Sequence, residues 1–218
     1  MTRFTDPELQ ALQDAVAAAE ARTSGEIVVA ITRRSHPYPE AGLRGAIIGA
    51  LVALAFAALV FRFYDGWGLG WLHEGWGVAA LTLAAALAGL ALTLAVPALG
   101  RALAGRRVMN AAVHRRALQA FAEEEVFATR ARTGVLLFLS LHEHRIEVLA
   151  DTGIAARVPA EAWGDLVAIV RAGIAGDRLP AALGEALDRC GNLLEESGLE
   201  RDHDDADELP NRLRLYTA

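Results

Sequence analysis

The chain has no lysine; all 21 of its basic residues are arginine. Arginine suits bidentate and stacked contacts, but in a chain this rich in Ala and Gly a codon bias accounts for the choice, and it excludes no function. The single cysteine, Cys190, excludes an intrachain disulfide. It shares a helical face with Leu183, Leu187 and Leu194, the setting of a buried structural thiol rather than a reactive one. The first residues are polar and helical in pattern, without the charged-then-apolar run of a leader, so membrane insertion would rest on internal segments. No phosphate-cradling loop of the Walker type is present, and no Gly-x-Gly-x-x-Gly follows a strand, so no nucleotide cofactor is expected. His142 and His144 stand two apart, whereas a zincin pair needs four to share a helix face. Neither Ser24 nor Ser140 has a His and an acid partner visible in the sequence, which weighs against a nucleophilic hydrolase.

What the chain does have is apolar length. Residues 43–63 and 76–99 form two hydrophobic runs joined by a short loop, residues 64–75. A helix rises ~1.5 Å per residue, so roughly 20 residues cross a hydrocarbon core of ~30 Å. From Gly45 to Phe61 no side chain is charged, and from Gly77 to Leu99 only Thr82 and Thr93 are polar; a hydroxyl can bond back to its own helix. Buried helices of a soluble core would keep a polar face, and these are apolar all round. Tyr64, Trp67, Trp71 and Trp76 cluster at the loop end, where amphipathic rings favour the headgroup region. The expectation is a transmembrane hairpin whose partner is the lipid bilayer. Arg33 and Arg34 precede the first run and Arg44 stands at its start, and Arg101, Arg106, Arg107, Arg115 and Arg116 follow the second; the loop side has only Arg62 at its edge. Positive-inside counting places both termini in the cytoplasm and the loop outside. The arginines could also be read as a nucleic-acid patch, but their position beside the spans favours the membrane, and no nucleic-acid partner is expected. In lipid, helices pack through small residues. Gly45, Gly49 and Ala53 are therefore expected to face a partner span, and Ala84, Ala88 and Ala91 or Ala95, with Gly89 beside them, to answer from the second run; Phe56, Leu59 and Phe63 would face lipid.

Outside the hairpin the pattern alternates helix and strand. Residues 6–23 read as a helix with Leu9, Leu12, Val16 and Ala19 on one face, and residues 26–31 as a buried β-branched strand. Residues 101–129 read as one long helix with Val108, Ala112, Leu118 and Phe121 inward. Residues 135–141 and 145–150 read as a β-hairpin, and residues 159–175 and 179–196 as closing helices. The fold class expected is α/β: a small mixed β-sheet flanked by helices, with the two-helix transmembrane hairpin inserted in the first β-α-β crossover, because a parallel pair requires a long connection. The organisation is then residues 1–41 and 101–200 as two parts of one domain, 42–100 as the hairpin and 201–218 as an acidic tail, irregular over residues 201–210.

Several stretches resemble the TPM-domain family: Thr23-Ser24-Gly25-Glu26-Ile27, the strand from Thr133 to Leu141, and Glu147-Val148-Leu149-Ala150-Asp151-Thr152-Gly153-Ile154. The likeness continues through Trp163, Cys190-Gly191-Asn192-Leu193-Leu194 and Asp204-Asp205-Ala206-Asp207-Glu208-Leu209-Pro210. The resemblance implies a small sheet between helices. Some members of that family are similar to metal-binding domains, and plant thylakoid members are described as acid phosphatases. Those members carry a terminal anchor; here the anchor interrupts the domain.

The candidate ligands are oxygen donors suited to Ca²⁺ or another divalent cation. Asp151 follows a strand end, and Glu26 opens the strand expected beside its neighbour; Asp204 and Asp205 lead the late acidic cluster, which also holds Asp202, Asp207 and Glu208. That cluster lacks the turn glycine and the closing Glu of an EF-hand. Each has a plainer reading: Asp151 as a turn aspartate, Glu26 and Glu147 as strand charges, the tail as a solvated acidic run, His142-Glu143-His144 as an exposed turn. A membrane-anchored domain with a binding or assembly role, engaging metal or a membrane-protein partner, is the expected function; a metal-dependent phosphatase is the alternative. Two spans without an intramembrane charge make a poor transport pathway.

Overall fold

The computed structural model describes residues 4–64, 69–199, 201, 208–210 and 213–216. They divide into two compact units, one from residues 1–35 and 111–218 and the other from residues 36–110.

The first unit is built on a four-stranded mixed sheet. Its strands are β1 (Glu26–Thr32), β2 (Gly134–Ser140), β3 (Arg145–Ala150) and β4 (Arg214–Tyr216), in the spatial order β3-β2-β1-β4. β1 pairs parallel with β2 in the register Glu26 to Gly134, and parallel with β4; β3 runs antiparallel to β2. β1 and β2 are buried along their whole length, as central strands with near-continuous apolar runs should be. Side-chain alternation splits them between two cores. Ile27, Val29, Val135, Leu137 and Leu139 pack with residues of α1 (Asp6–Glu20), α7 (Gly164–Ala175) and α8 (Leu179–Glu196). Val28, Ala30, Leu136 and Phe138 face Val113, Ala117 and Ala120 of α5 (Arg106–Glu123). Helices thus cover both faces of the sheet, the α/β class expected.

The second unit contains α2 (Pro39–Phe63), α3 (Gly75–Ala95) and α4 (Pro97–Ala104), with a 3₁₀ turn at Gly70–His73. α2 and α3 are long and apolar enough to cross a membrane, with mean hydropathy 2.4 and 2.2, and most of their residues are exposed rather than buried as in a soluble core. They are antiparallel: Gly45 lies against Gly89 and Thr93, and Gly49 against Ala85. A Cβ on Gly49 would collide with the Ala85 carbonyl, and one on Gly89 with that of Gly45, so close backbone approach requires glycine at both. Ala53, Ala57 and Val60 continue the buried face, while Phe56, Leu59 and Phe63 are exposed, as expected. The second helix uses a neighbouring face: Ala85, Ala86, Gly89 and Thr93 meet α2, whereas Ala84, Ala88, Ala91 and Ala95 are exposed. Thr82 and Thr93 each donate back to the carbonyl four residues earlier.

Four local expectations need correction. The second apolar helix stops at Ala95, not Leu99, because the residue before Pro97 is pushed to extended backbone: Val96 has φ −108° and ψ 99°. The long helix expected over residues 101–129 is two helices, parted at Gly105 with φ +87°. Within α5, Val113, Ala117 and Ala120 are buried while Leu118 is 49% exposed. The acidic tail also supplies a strand, β4, past the stretch expected to be irregular, where no strand is expected.

Candidate functional site

Glu26 and Asp151 come to the same end of the sheet, on either side of Gly134. Glu26 is in register with Gly134 and its N–H donates to Thr133 O at 3.0 Å; the Asp151 N–H donates to Gly134 O at 2.9 Å. Both carboxylates are buried, 7% and 4% exposed. Between them Gly134 has no side chain, and the Val126 carbonyl occupies the space a Cβ would need. This is the amino end of the parallel strands, not the carboxyl end where α/β crevices form.

Buried carboxylates need partners, and both have them. Glu26 Oε1 accepts the Glu208 N–H at 3.0 Å and Oε2 accepts that of Leu209 at 3.3 Å. Glu208 in turn accepts the Arg130 N–H at 2.8 Å and pairs with its guanidinium at 3.2 Å. Glu26 therefore ties the C-terminal segment to the sheet just ahead of β4. Asp151 caps α6 (Thr152–Ala155), Oδ1 accepting the Thr152 N–H at 2.6 Å. Its Oδ2 lies 2.9 Å from Arg132 Nε, close enough for an ion pair but without hydrogen-bond alignment. Asp204 and Asp205, with Asp202 and Asp207, lie outside the described residues. Among the described residues no three His, Cys, Asp or Glu converge as a metal cluster; Glu26 and Asp151 are the two acids that flank one position.

Glu147 is not free at the surface: its Oε1 stands 2.7 Å from His114 Nδ1 of α5. The exposed turn expected at His142-Glu143-His144 is only partly so. His144 is exposed with φ +52°, but Glu143 is 4% exposed. Glu143 Oε2 accepts the Ser140 hydroxyl and Oε1 accepts the Ser35 N–H at 3.1 Å, while the hydroxyls of Ser35 and Ser140 are 2.7 Å apart. This network closes the carboxyl ends of β1 and β2. The sequence carries one signal for it, a Ser three residues before a Glu across a tight turn, which is too common to single out.

A second buried acid also escaped the sequence reading. Glu20, at the end of α1, accepts the Ile27 N–H at 2.8 Å. It bears on Cys190, which is fully buried as expected; burial pushes the thiol up to about 12, and the nearby Glu20 charge adds to the rise. At the β4 edge, Arg214 Nε donates to Glu124 at 2.6 Å and the Tyr216 hydroxyl donates to the same carboxylate at 2.8 Å. Burial, then the hydrogen bond to Glu124, raise the Tyr216 phenol above its ordinary value. The Arg116 guanidinium stands 4.2 Å from the centre of the Tyr216 ring.

No family model matches the chain, and no curated protein matches it either. Among solved structures, the NMR structure of the BA42 protein from the psychrophilic bacterium Bizionia argentinensis is similar in fold. The TM-score is 0.59 at 17% identity, over 99% of this chain and 97% of that one. At that identity the likeness concerns the fold alone.

Proposed function

We propose that the chain is an integral membrane protein that displays a TPM-like α/β domain in the cytoplasm for a binding or assembly role. The observation that carries the reading is where the apolar helices lie. α2 and α3 fall between β1 and β2, neighbouring strands of one sheet, so no single cut releases the domain from its anchor. A protein whose binding domain cannot be shed from the membrane suits recruitment of a partner to that surface. The arginine asymmetry supports both termini inside and the loop outside. Reporter fusions at Ala218, at Gly70 and ahead of Met1 test this: inside is expected at both ends and outside at the loop. An outside reading at either terminus overturns the topology and moves the domain to the other compartment. Retention in the membrane pellet after alkaline carbonate extraction tests the anchor itself.

Divalent-cation binding is part of the proposal, with Glu26 and Asp151 as donors and Asp204 and Asp205 supplied by the acidic segment. Carboxylate oxygens favour a hard cation over a soft one. The second reading, a metal-dependent phosphatase, draws on the same pair: a bound divalent ion would polarise a phosphoryl oxygen and lower the pKa of water. Purified protein incubated with a generic phosphomonoester, with and without Ca²⁺, Mg²⁺ or Mn²⁺, separates the readings. Metal-dependent turnover abolished by Asp151→Asn establishes the second at the expense of the first.

A further inference from the structure

From Gly75 to Ala122 the chain contains no Asp or Glu, although it is acidic as a whole with a net charge of −6. The same stretch includes Arg101, Arg106 and Arg107. Elsewhere arginines meet carboxylates: Arg116 with Glu123, Arg130 with Glu208, Arg214 with Glu124. Arg106 and Arg107 are exposed, and among the described residues neither has an ion-pair partner. They open α5, where a cation opposes the helix dipole, so the helix gains nothing from them.

Their position is fixed by local structure within the second unit. Because α2 and α3 are antiparallel, the start of α2 and the end of α3 share one end of the hairpin. There Arg44 donates to the carbonyls of Leu103 and of Ala104, the latter at 3.1 Å, which satisfies the last turn of α4 and ties it to α2. The chain then turns at Gly105 and reaches Arg106 and Arg107. Leu43, Leu94 and Val96 are exposed at this same end. Two guanidinium groups without counter-charge thus follow directly on bare apolar surface.

We propose that Arg106 and Arg107 form a headgroup site for anionic phospholipid at the arginine end of the hairpin. A guanidinium grips phosphate oxygens in a bidentate fork, and the adjoining apolar surface takes an acyl chain. A free phosphate uses only the first of these features, and a zwitterionic headgroup returns the charge the arginines would neutralise. The inference rests on the membrane-spanning reading. Each basic residue near an anionic surface contributes about a fivefold gain in binding.

The test uses the full-length protein in neutral detergent, titrated with dioctanoyl phosphatidylglycerol, dioctanoyl phosphatidylcholine, inorganic phosphate and a single-stranded oligonucleotide, with thermal stabilisation as the readout. Saturable stabilisation by phosphatidylglycerol, exceeding that by the other three, is expected. Arg106→Gln with Arg107→Gln should weaken it by about 25-fold, two steps of about fivefold, whereas the Lys pair should keep most of it. Should the double Gln variant not fold, the two single variants carry the same test at about fivefold each. Equal response to both lipids, an unchanged affinity in the Gln variants, or stronger binding of phosphate or oligonucleotide overturns the proposal. Release of the protein by alkaline carbonate would instead defeat the membrane reading beneath it. Retention with indifference to headgroup defeats only the inference.

Discussion

In the hairpin, α2 and α3 touch where side chains are smallest, and Leu51, Phe56, Leu83 and Leu94 are exposed. In the α/β domain the arrangement is reversed: Phe138, Leu137 and Leu187 are enclosed and most charged groups stand outward, several in pairs. The difference is what the proposed membrane-spanning hairpin would require. In water, removing large apolar side chains from solvent drives assembly. In hydrocarbon that drive would vanish and contact would come from close backbone approach, which Gly45, Gly49 and Gly89 permit. Polar groups obey the same contrast. The two hydroxyls in α3 are satisfied inside their own helix, while the domain buries Glu20, Glu26, Glu143 and Asp151 and gives each a donor from another segment or the next residue.

Substitutions that exchange the two rules should expose the contrast. The largest effect is expected from Phe138→Ala. This side chain is fully buried between β2 and α5, and such truncations cost about 3–5 kcal/mol. The urea midpoint of the domain should fall by the corresponding amount. Crosslinking between cysteines placed in α2 and α3, on a Cys190→Ala background, should be unchanged. Loss of that crosslinking would mean that the hairpin depends on the domain for its own packing.

The reverse exchange is Gly49→Leu. Any Cβ here meets the Ala85 carbonyl, and backbone cannot move aside as a side-chain end can, so overpacking of about 1–3 kcal/mol is expected. Crosslinking between the spans should weaken while the urea midpoint holds. Unchanged crosslinking would show that the small-residue face is a by-product of an Ala-rich composition and that the loop holds the helices together.

The two regions also differed in how much of them could be read from sequence. The two long apolar helices and the two central strands were legible because each is a long uninterrupted apolar run. The first helix face of the hairpin was legible for the same reason that made it pack: its glycines and alanines repeat every four residues. On α3, where most residues are small or leucine, composition marks no single face, and the reading fell one position away. α5 misled in another way. Its core positions beside the sheet are Val113, Ala117 and Ala120, and Phe121 packs against them as expected, while Leu118 is outside; ranking by hydrophobic size placed Leu118 inward where small alanines let the helix lie close to the sheet. β4 is three residues, Arg-Leu-Tyr, too short to show a period and held by pairs that only the fold brings together. That Glu26 and Asp151 stand at strand ends was legible in the sequence; their burial and their partners were not. Nor were Glu20 and Glu143, since a carboxylate in a helix end or a turn is ordinarily solvated and only the burial of its surroundings says otherwise.

The smallest effect concerns pH and belongs to the domain alone. Cys190 is fully buried beside Glu20, and its thiol is raised from 9.0 to about 12. In the unfolded chain the thiol releases its proton near the ordinary value, while the folded protein keeps it. Between those two values the unfolded state binds fewer protons, so stability falls as pH rises. The stabilising contribution is complete below about pH 9 and is lost on the way to about pH 12. Tyr216, also raised, adds a second loss that begins from its ordinary value of 10.0. Cys190→Ala removes the first loss and leaves the second. It also leaves a smaller side chain in the core, which lowers stability at every pH but does not change its slope. The slope is therefore the quantity to compare. Between about pH 7 and about pH 10 the wild-type domain should lose roughly 1.4 kcal/mol more than the variant, one pH unit's worth of a single group. Urea midpoints of the full-length protein in detergent at those two pH values measure it, since urea unfolds the domain and spares the apolar helices. Equal losses in the two proteins would mean that the thiol is reached by water through openings of the α1–α8 contact, and that Cys190 is less firmly enclosed than its packing against α1 implies.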